Sequence, residues 1–139
     1  MSYLEKIRNH DPSANPFFVL MGIRVVSADP TWAVLAMLVR PDMHNGVGWL
    51  QGGMLAAIAD EAMALALYPQ LTESEGIATI SESTSFIRGV RNGEIFAEGR
   101  VIRKGRRVAF TEAEVYTMEG GEKVMLSRTS AAFAVTSGK

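Results

Sequence analysis

The sequence contains no cysteine. That excludes disulfides, thiolate metal sites and a cysteine nucleophile. Only two histidines are present, His10 and His44, far apart in the chain, which together with the lack of cysteine argues against a catalytic metal site. Long hydrophobic runs are absent too. The longest apolar stretch, after Gly53, is interrupted by Asp60 and Glu61 and is too short to span a bilayer. The first residues, Met1-Ser2-Tyr3-Leu4-Glu5-Lys6-Ile7-Arg8, mix charge with apolar side chains and lack the core of a signal peptide. Charge of one sign is also lacking: 14 Lys and Arg balance 15 Asp and Glu for a formal net charge of -1. No global field therefore favours nucleic acid or an anionic membrane. These absences predict a cytoplasmic protein with no nucleic-acid or membrane partner, no metal and no cofactor. At 139 residues the chain fits one domain, residues 1–139, with a real core.

What is present is concentrated between Asn45 and Leu67. A glycine-rich loop, Asn45-Gly46-Val47-Gly48-Trp49-Leu50-Gln51-Gly52-Gly53, leads into a predicted helix over 53–67 that is apolar on nearly every side. Such a helix is normally buried. Its only carboxylates, Asp60 and Glu61, lie mid-run. A carboxylate there costs free energy unless it is paired, hydrogen-bonded or put to use. Glu61 lies about 100° around the helix from Asp60, so both cannot aim at one reacting atom. Glu61 is expected to pair with a cation or to face a partner chain.

Around this helix the sequence alternates turns and strands. Residues 3–10 predict a short amphipathic helix. Asn15 caps a second, with Pro16 at its first position, and Gly22 ends it. Strands are predicted over 23–28, 31–39, 76–90, 95–103, 108–117 and 123–135. Asn92-Gly93 reads as a hairpin turn between the third and fourth strands. Tight turns imply antiparallel pairing. The reading is an α+β fold, one antiparallel six-stranded sheet curled around a central helix. That sheet covers only part of the helix and leaves open edges, which pairing of two chains would cover.

The spacing of Asn45, Gly48, Gln51, Gly52, Gly53 and Asp60, together with Lys104-Gly105-Arg106-Arg107-Val108-Ala109-Phe110, resembles the PaaI-like acyl-CoA thioesterases of the hotdog fold. The resemblance covers about residues 15–136. One position departs from the pattern: the family's histidine before the glycine pair is Gln51 here. A glutamine donates and accepts hydrogen bonds but cannot carry a proton between steps.

The resemblance implies a set of roles. Gly52 would offer its backbone N–H, at a helix N-terminus, to the thioester oxygen. Asp60 would be the general base or the nucleophile. Gln51 would orient groups. Asn45 would hold the loop, or bind the water or thioester oxygen. Thr79 would position water. Arg103, Lys104, Arg106 and Arg107 would meet the phosphates of coenzyme A; without the resemblance they read as a solvated charged turn. Met21, Met43, Met54, Met63, Trp49, Phe86 and Phe110 are candidates for the acyl pocket or for plain core. His44 adjoins Asn45 without a role in the pattern. The resemblance also implies a homodimer or a homotetramer, with each site built from two chains. The leading expectation is acyl-CoA hydrolysis. A non-catalytic acyl-CoA binder on the same fold, suggested by Gln51, and a hotdog hydratase or dehydratase are the alternatives.

Overall fold

The computed structural model describes residues 2–137. Two short helices come first, α1 (Tyr3–Arg8) and α2 (Pro16–Met21). Strands β1 (Arg24–Asp29) and β2 (Trp32–Leu38) follow, then the long helix α3 (Gly52–Leu67). The chain ends with β3 (Glu75–Phe86), β4 (Glu94–Lys104), β5 (Val108–Glu119) and β6 (Glu122–Ser137). All six strands form one sheet in the order β1-β2-β4-β5-β6-β3, and every pairing is antiparallel.

Local chemistry accounts for the element ends. Ser2 and Glu5 form a reciprocal capping box on α1. Asn15 caps α2 through its Oδ1, and Gly22 closes that helix in the left-handed region at φ 69°. Pro69 stops α3 by forcing the chain into a short 3-10 turn, Tyr68–Gln70.

The sheet curls around one side of α3. Leu55, Ile58, Ala59, Ala62, Met63, Leu65, Ala66 and Leu67 are buried in the core with Leu35, Met37, Ile95, Val115, Leu126 and Phe133. Gly99 on β4 sets how closely the helix approaches. A Cβ there would lie 2.4–2.5 Å from the backbone of Ala62 and Met63. The opposite side of α3, through Ala56, Ala57, Asp60 and Ala64, remains only half-buried. The polar mid-helix residues thus lie on the uncovered stripe.

One expectation is corrected. Asn92-Gly93 does turn the chain, with Gly93 at φ 86°, but it does not join β3 and β4 as a hairpin. Strands β5 and β6 stand between them. The turn serves instead to bring the chain back beside β2, where the Val39 N–H donates to the Gly93 carbonyl at 2.9 Å. The crossover 87–93 is held by Leu50 N–H to the Val90 carbonyl at 2.8 Å and by His44 to the Arg91 carbonyl at 2.7 Å.

As a result β3 is an edge strand. Its 12 residues pair only with β6, and it exposes Ile80 and Phe86. A long unpaired edge bearing apolar side chains is a template for another strand. No described helix is long and apolar enough to cross a membrane.

Candidate active site

The loop before α3 is closed by Asn45. Its Oδ1 accepts from the Val47 N–H at 3.0 Å and the Trp49 N–H at 3.1 Å. Of the two roles open to Asn45, loop-holding is the one that its oxygen performs. Gln51 is the N-cap of α3: its side-chain oxygen accepts from the Gly53 N–H. The Gln51 carbonyl takes the Met54 N–H at 2.9 Å. That leaves the Gly52 N–H without a hydrogen-bond partner among the described residues. A free N–H at the first position of a 16-residue helix is the donor type that a developing oxyanion requires. Phe86, at the end of β3, lies over this point; a Cβ on Gly52 would be 3.3 Å from its ring.

Two turns further along α3, Asp60 faces β3. Its Oδ1 accepts from Thr79 Oγ1 at 3.0 Å. Thr79, a candidate by resemblance, thus stands at Asp60. A second carboxyl joins them. Glu82 neighbours Asp60, and its pKa is pushed up to about 7, by partial burial first and then by the Asp60 carboxylate.

Nothing in the sequence pattern points to Glu82. By simple alternation Thr79 and Glu82 face opposite sides of the strand. A bulge at Ile80 breaks the alternation: Thr79 pairs with Phe133, Ser81 with Ala132 and Glu82 with Ala131. Residues opposite one another share a face, and both Phe133 and Ala131 are buried on the helix side. The extra residue thus turns Thr79 and Glu82 to the same face.

Glu61 points elsewhere, as its position on the helix requires. It does not find the expected cation. Its Oε1 accepts from Asn15 Nδ2 at 3.1 Å, and the same amide donates to Tyr3 Oη at 2.9 Å. Burial raises the Glu61 pKa, Asn15 opposes the rise, and the Asp60 charge adds to it. Tyr3 and Tyr68 stack obliquely at 5.0 Å beside it. Asn15 thereby ties α1, α2 and α3 together. A cleft lined by Tyr3, Glu61, Tyr68, Ile77 and Thr79 opens next to Asp60.

The basic hairpin lies at this same end of the sheet. Ala109 pairs with Phe133, which pairs with Thr79, so the hairpin base is two strand spacings, roughly 10 Å, from Thr79. Lys104 is engaged with Glu75 at 3.7 Å. Arg103, Arg106 and Arg107 are exposed. The apolar candidates divide. Met43 and Met63 are core. Trp49 carries Arg91 over its ring at 4.0 Å. Phe110 pairs with Ala132 and is 47 % exposed, on the face away from α3, so it does not line the cleft. His44 is fixed by the crossover, since a carbonyl only accepts and Nε2 must donate to Arg91.

These arrangements can be compared with known proteins. The thioesterase superfamily pattern matches residues 48–124, the span from the loop before α3 to the start of β6. A putative esterase of Deinococcus radiodurans is 30% identical over 117 residues, covering 83% of this chain and 77% of its own. Acyl-coenzyme A thioesterase PaaI of Escherichia coli is 28% identical over 102 residues, covering 71% of this chain and 69% of its own. The E. coli PaaI structure superposes with a TM-score of 0.85 at 20% identity, covering 99% of this chain and 96% of its own. A thioesterase family protein from Silicibacter pomeroyi superposes with a TM-score of 0.88 at 20% identity, covering 99% and 100%. With its six-stranded sheet wrapped around α3, the chain belongs to the thioesterase superfamily, as a PaaI-like member with the hotdog fold.

Proposed function

We propose that this protein hydrolyses an acyl-CoA thioester to a free acid and coenzyme A, with Asp60 as the catalytic carboxylate. The observation that carries the reading is the placement of Asp60. It lies mid-way along an otherwise apolar helix, is held by Thr79 at 3.0 Å, and borders an open cleft. A carboxylate kept at such a cost and aimed at a cleft is suited to work as a base. The acyl-CoA thioesterase among its relatives supports the substrate class.

In this reading the thioester oxygen sits at the Gly52 N–H, where the helix dipole and the free donor stabilise the oxyanion. Asp60 activates a water that Thr79 helps to orient, or attacks the carbonyl itself. Gln51 has a structural part: by capping Gly53 it leaves Gly52 as the free donor. The exposed guanidinium groups of Arg103, Arg106 and Arg107 serve the coenzyme A phosphates, and Lys104, paired with Glu75, contributes least.

One chain cannot complete this site. Gly52 and Asp60 are eight residues apart on one helix, about 12 Å at 1.5 Å per residue. A second copy resolves the gap. Along β3, Thr79 marks the Asp60 end and Phe86 the Gly52 end. Antiparallel pairing of two β3 edges about a point between Glu82 and Ser83 sets Thr79 of one strand beside Phe86 of the other. Asp60 of one chain then meets the helix start of its partner, and the apolar edge is covered. The functional unit is a homodimer, or a dimer of dimers.

The test is free-thiol release from a panel of acetyl-, decanoyl- and phenylacetyl-CoA, run beside sedimentation velocity. Turnover by a dimer or tetramer is expected. Acyl-CoA binding without thiol release would favour a non-catalytic binder, the reading that Gln51 suggests. Full activity in a strict monomer would contradict the two-chain site.

A further inference from the structure

A thioesterase that uses Asp60 as base has to return a proton to the departing sulfur. In this chain the residue before the glycine pair is an amide, committed to capping α3. Neither histidine is near Asp60: His44 is bound to the crossover carbonyl of Arg91, and His10 lies on the turn after α1. That leaves Asp60 itself, once it has taken the water proton, or a neighbouring acid to carry the proton.

We infer that Glu82 is that acid: Asp60 and Glu82 act as a carboxyl pair sharing one proton, with Glu82 as the acid partner. The inference rests on the thioesterase reading of Asp60 and deepens it. Three observations carry it. The bulge at Ile80 turns Glu82 onto the helix-facing side of β3, beside Thr79. On that side its ladder neighbour is Ala131, with Thr111 buried on β5 beyond it. The charged residues Arg128 and Glu112 pair with Ser85 and Ser130 on the opposite face. From α3, Asp60 faces Glu82, while Glu61 is turned to Asn15. Finally, Asp60 lies near enough to raise the Glu82 pKa, and two neighbouring carboxyls resist ionising together, which favours one proton between them. Partial burial and the Asp60 charge favour that proton on Glu82 near neutral pH.

The proton balance closes over one turnover. The water oxygen bonds to the thioester carbon, and the water proton passes to Asp60. The carbonyl electron pair moves to oxygen at the Gly52 N–H of the second chain. When it returns, the C–S bond breaks with its electron pair on sulfur, and the thiolate takes the proton that Glu82 held. Asp60 then passes its proton to the neighbouring Glu82. The products are a carboxylic acid and a thiol, and the pair again holds one proton.

The test uses the full chain and whichever of acetyl-, decanoyl- or phenylacetyl-CoA is turned over fastest. Thiol release is measured from pH 5 to 9 for wild type, Glu82→Gln and Asp60→Asn. Glutamine keeps a donor for Asp60 but cannot release a proton. Because Glu82 is needed protonated, wild-type kcat should decline as pH rises through about 7. Glu82→Gln should lower kcat on the order of a hundredfold, leave KM within threefold or so, and lose the decline at high pH. An unchanged kcat with the alkaline decline intact in Glu82→Gln, while Asp60→Asn is inactive, would overturn the role of Glu82 and leave the thioesterase reading standing. Wild-type turnover in Asp60→Asn would overturn both. A matching melting temperature for Glu82→Gln and wild type separates lost chemistry from lost fold.

Discussion

Gly99→Ala is the substitution that most sharply tests how the sheet positions the helix. The new Cβ would stand 2.4 Å from the Ala62 carbonyl carbon and 2.5 Å from the Met63 nitrogen. Both are backbone atoms of a helix whose neighbours are fully buried, so neither can swing aside. Ordinary carbon contacts are ~3.5–4.0 Å, which means that helix and strand must part by about 1 Å. Overpacking of this kind costs about 1–3 kcal/mol, and the clash with backbone places Gly99→Ala at the upper end. Alanine also stiffens the unfolded chain, which returns roughly 0.4–1 kcal/mol. The net loss is about 2 kcal/mol, a fall in Tm of roughly 6–10 °C for a chain of this size. Ala62 is two residues from Asp60, so the same displacement stretches the Thr79–Asp60 hydrogen bond of 3.0 Å. Thermal melts at fixed protein concentration, with thiol-release kinetics on the same samples, should show stability and kcat falling together. An unchanged Tm would refute the claim that β4 and α3 are locked at this point.

Further outcomes follow from single contacts. Thr79→Val removes the hydroxyl that holds Asp60; kcat should fall by roughly tenfold, in line with a hydrogen bond to a charged group, and Thr79→Ser should recover most of it. Gln51→Ala deletes the cap on Gly53, which should lower stability by about 1 kcal/mol in denaturant melts. Its rate loss should be small if Gln51 has no proton role. Arg106→Glu with Arg107→Glu should raise KM for acyl-CoA severalfold with little change in kcat. Raising the salt concentration should narrow the difference from wild type, because these side chains are exposed.

Much of this architecture is legible in the sequence because it is locally encoded. Asn15, Pro16 and Gly22 bracket α2 by their own capping chemistry. The apolar run and Pro69 define α3. Asp60 stands out because a carboxylate conflicts with its surroundings, and family spacing singles out Gly52, Gln51 and Thr79. The misread features are set by pairing at a distance. Asn92-Gly93 has the chemistry of a hairpin, but a turn does not record which strand lies opposite. Val39, Leu50 and His44 decide that. Glu82 is not legible because period-two alternation places it away from Thr79, and only the register across β6 reveals the bulge. For Glu61, of the two expectations, a cation or a partner chain, the first gives way within the chain to the Asn15 amide, brought from 46 residues away.

The central claim is that Asp60 hydrolyses an acyl-CoA thioester. It is tested most directly by free-thiol release from wild type and Asp60→Ala, side by side, with circular dichroism to establish that both are folded. Release by wild type and a loss of at least a hundredfold or so in folded Asp60→Ala is the predicted result. Equal turnover by the two proteins would contradict it.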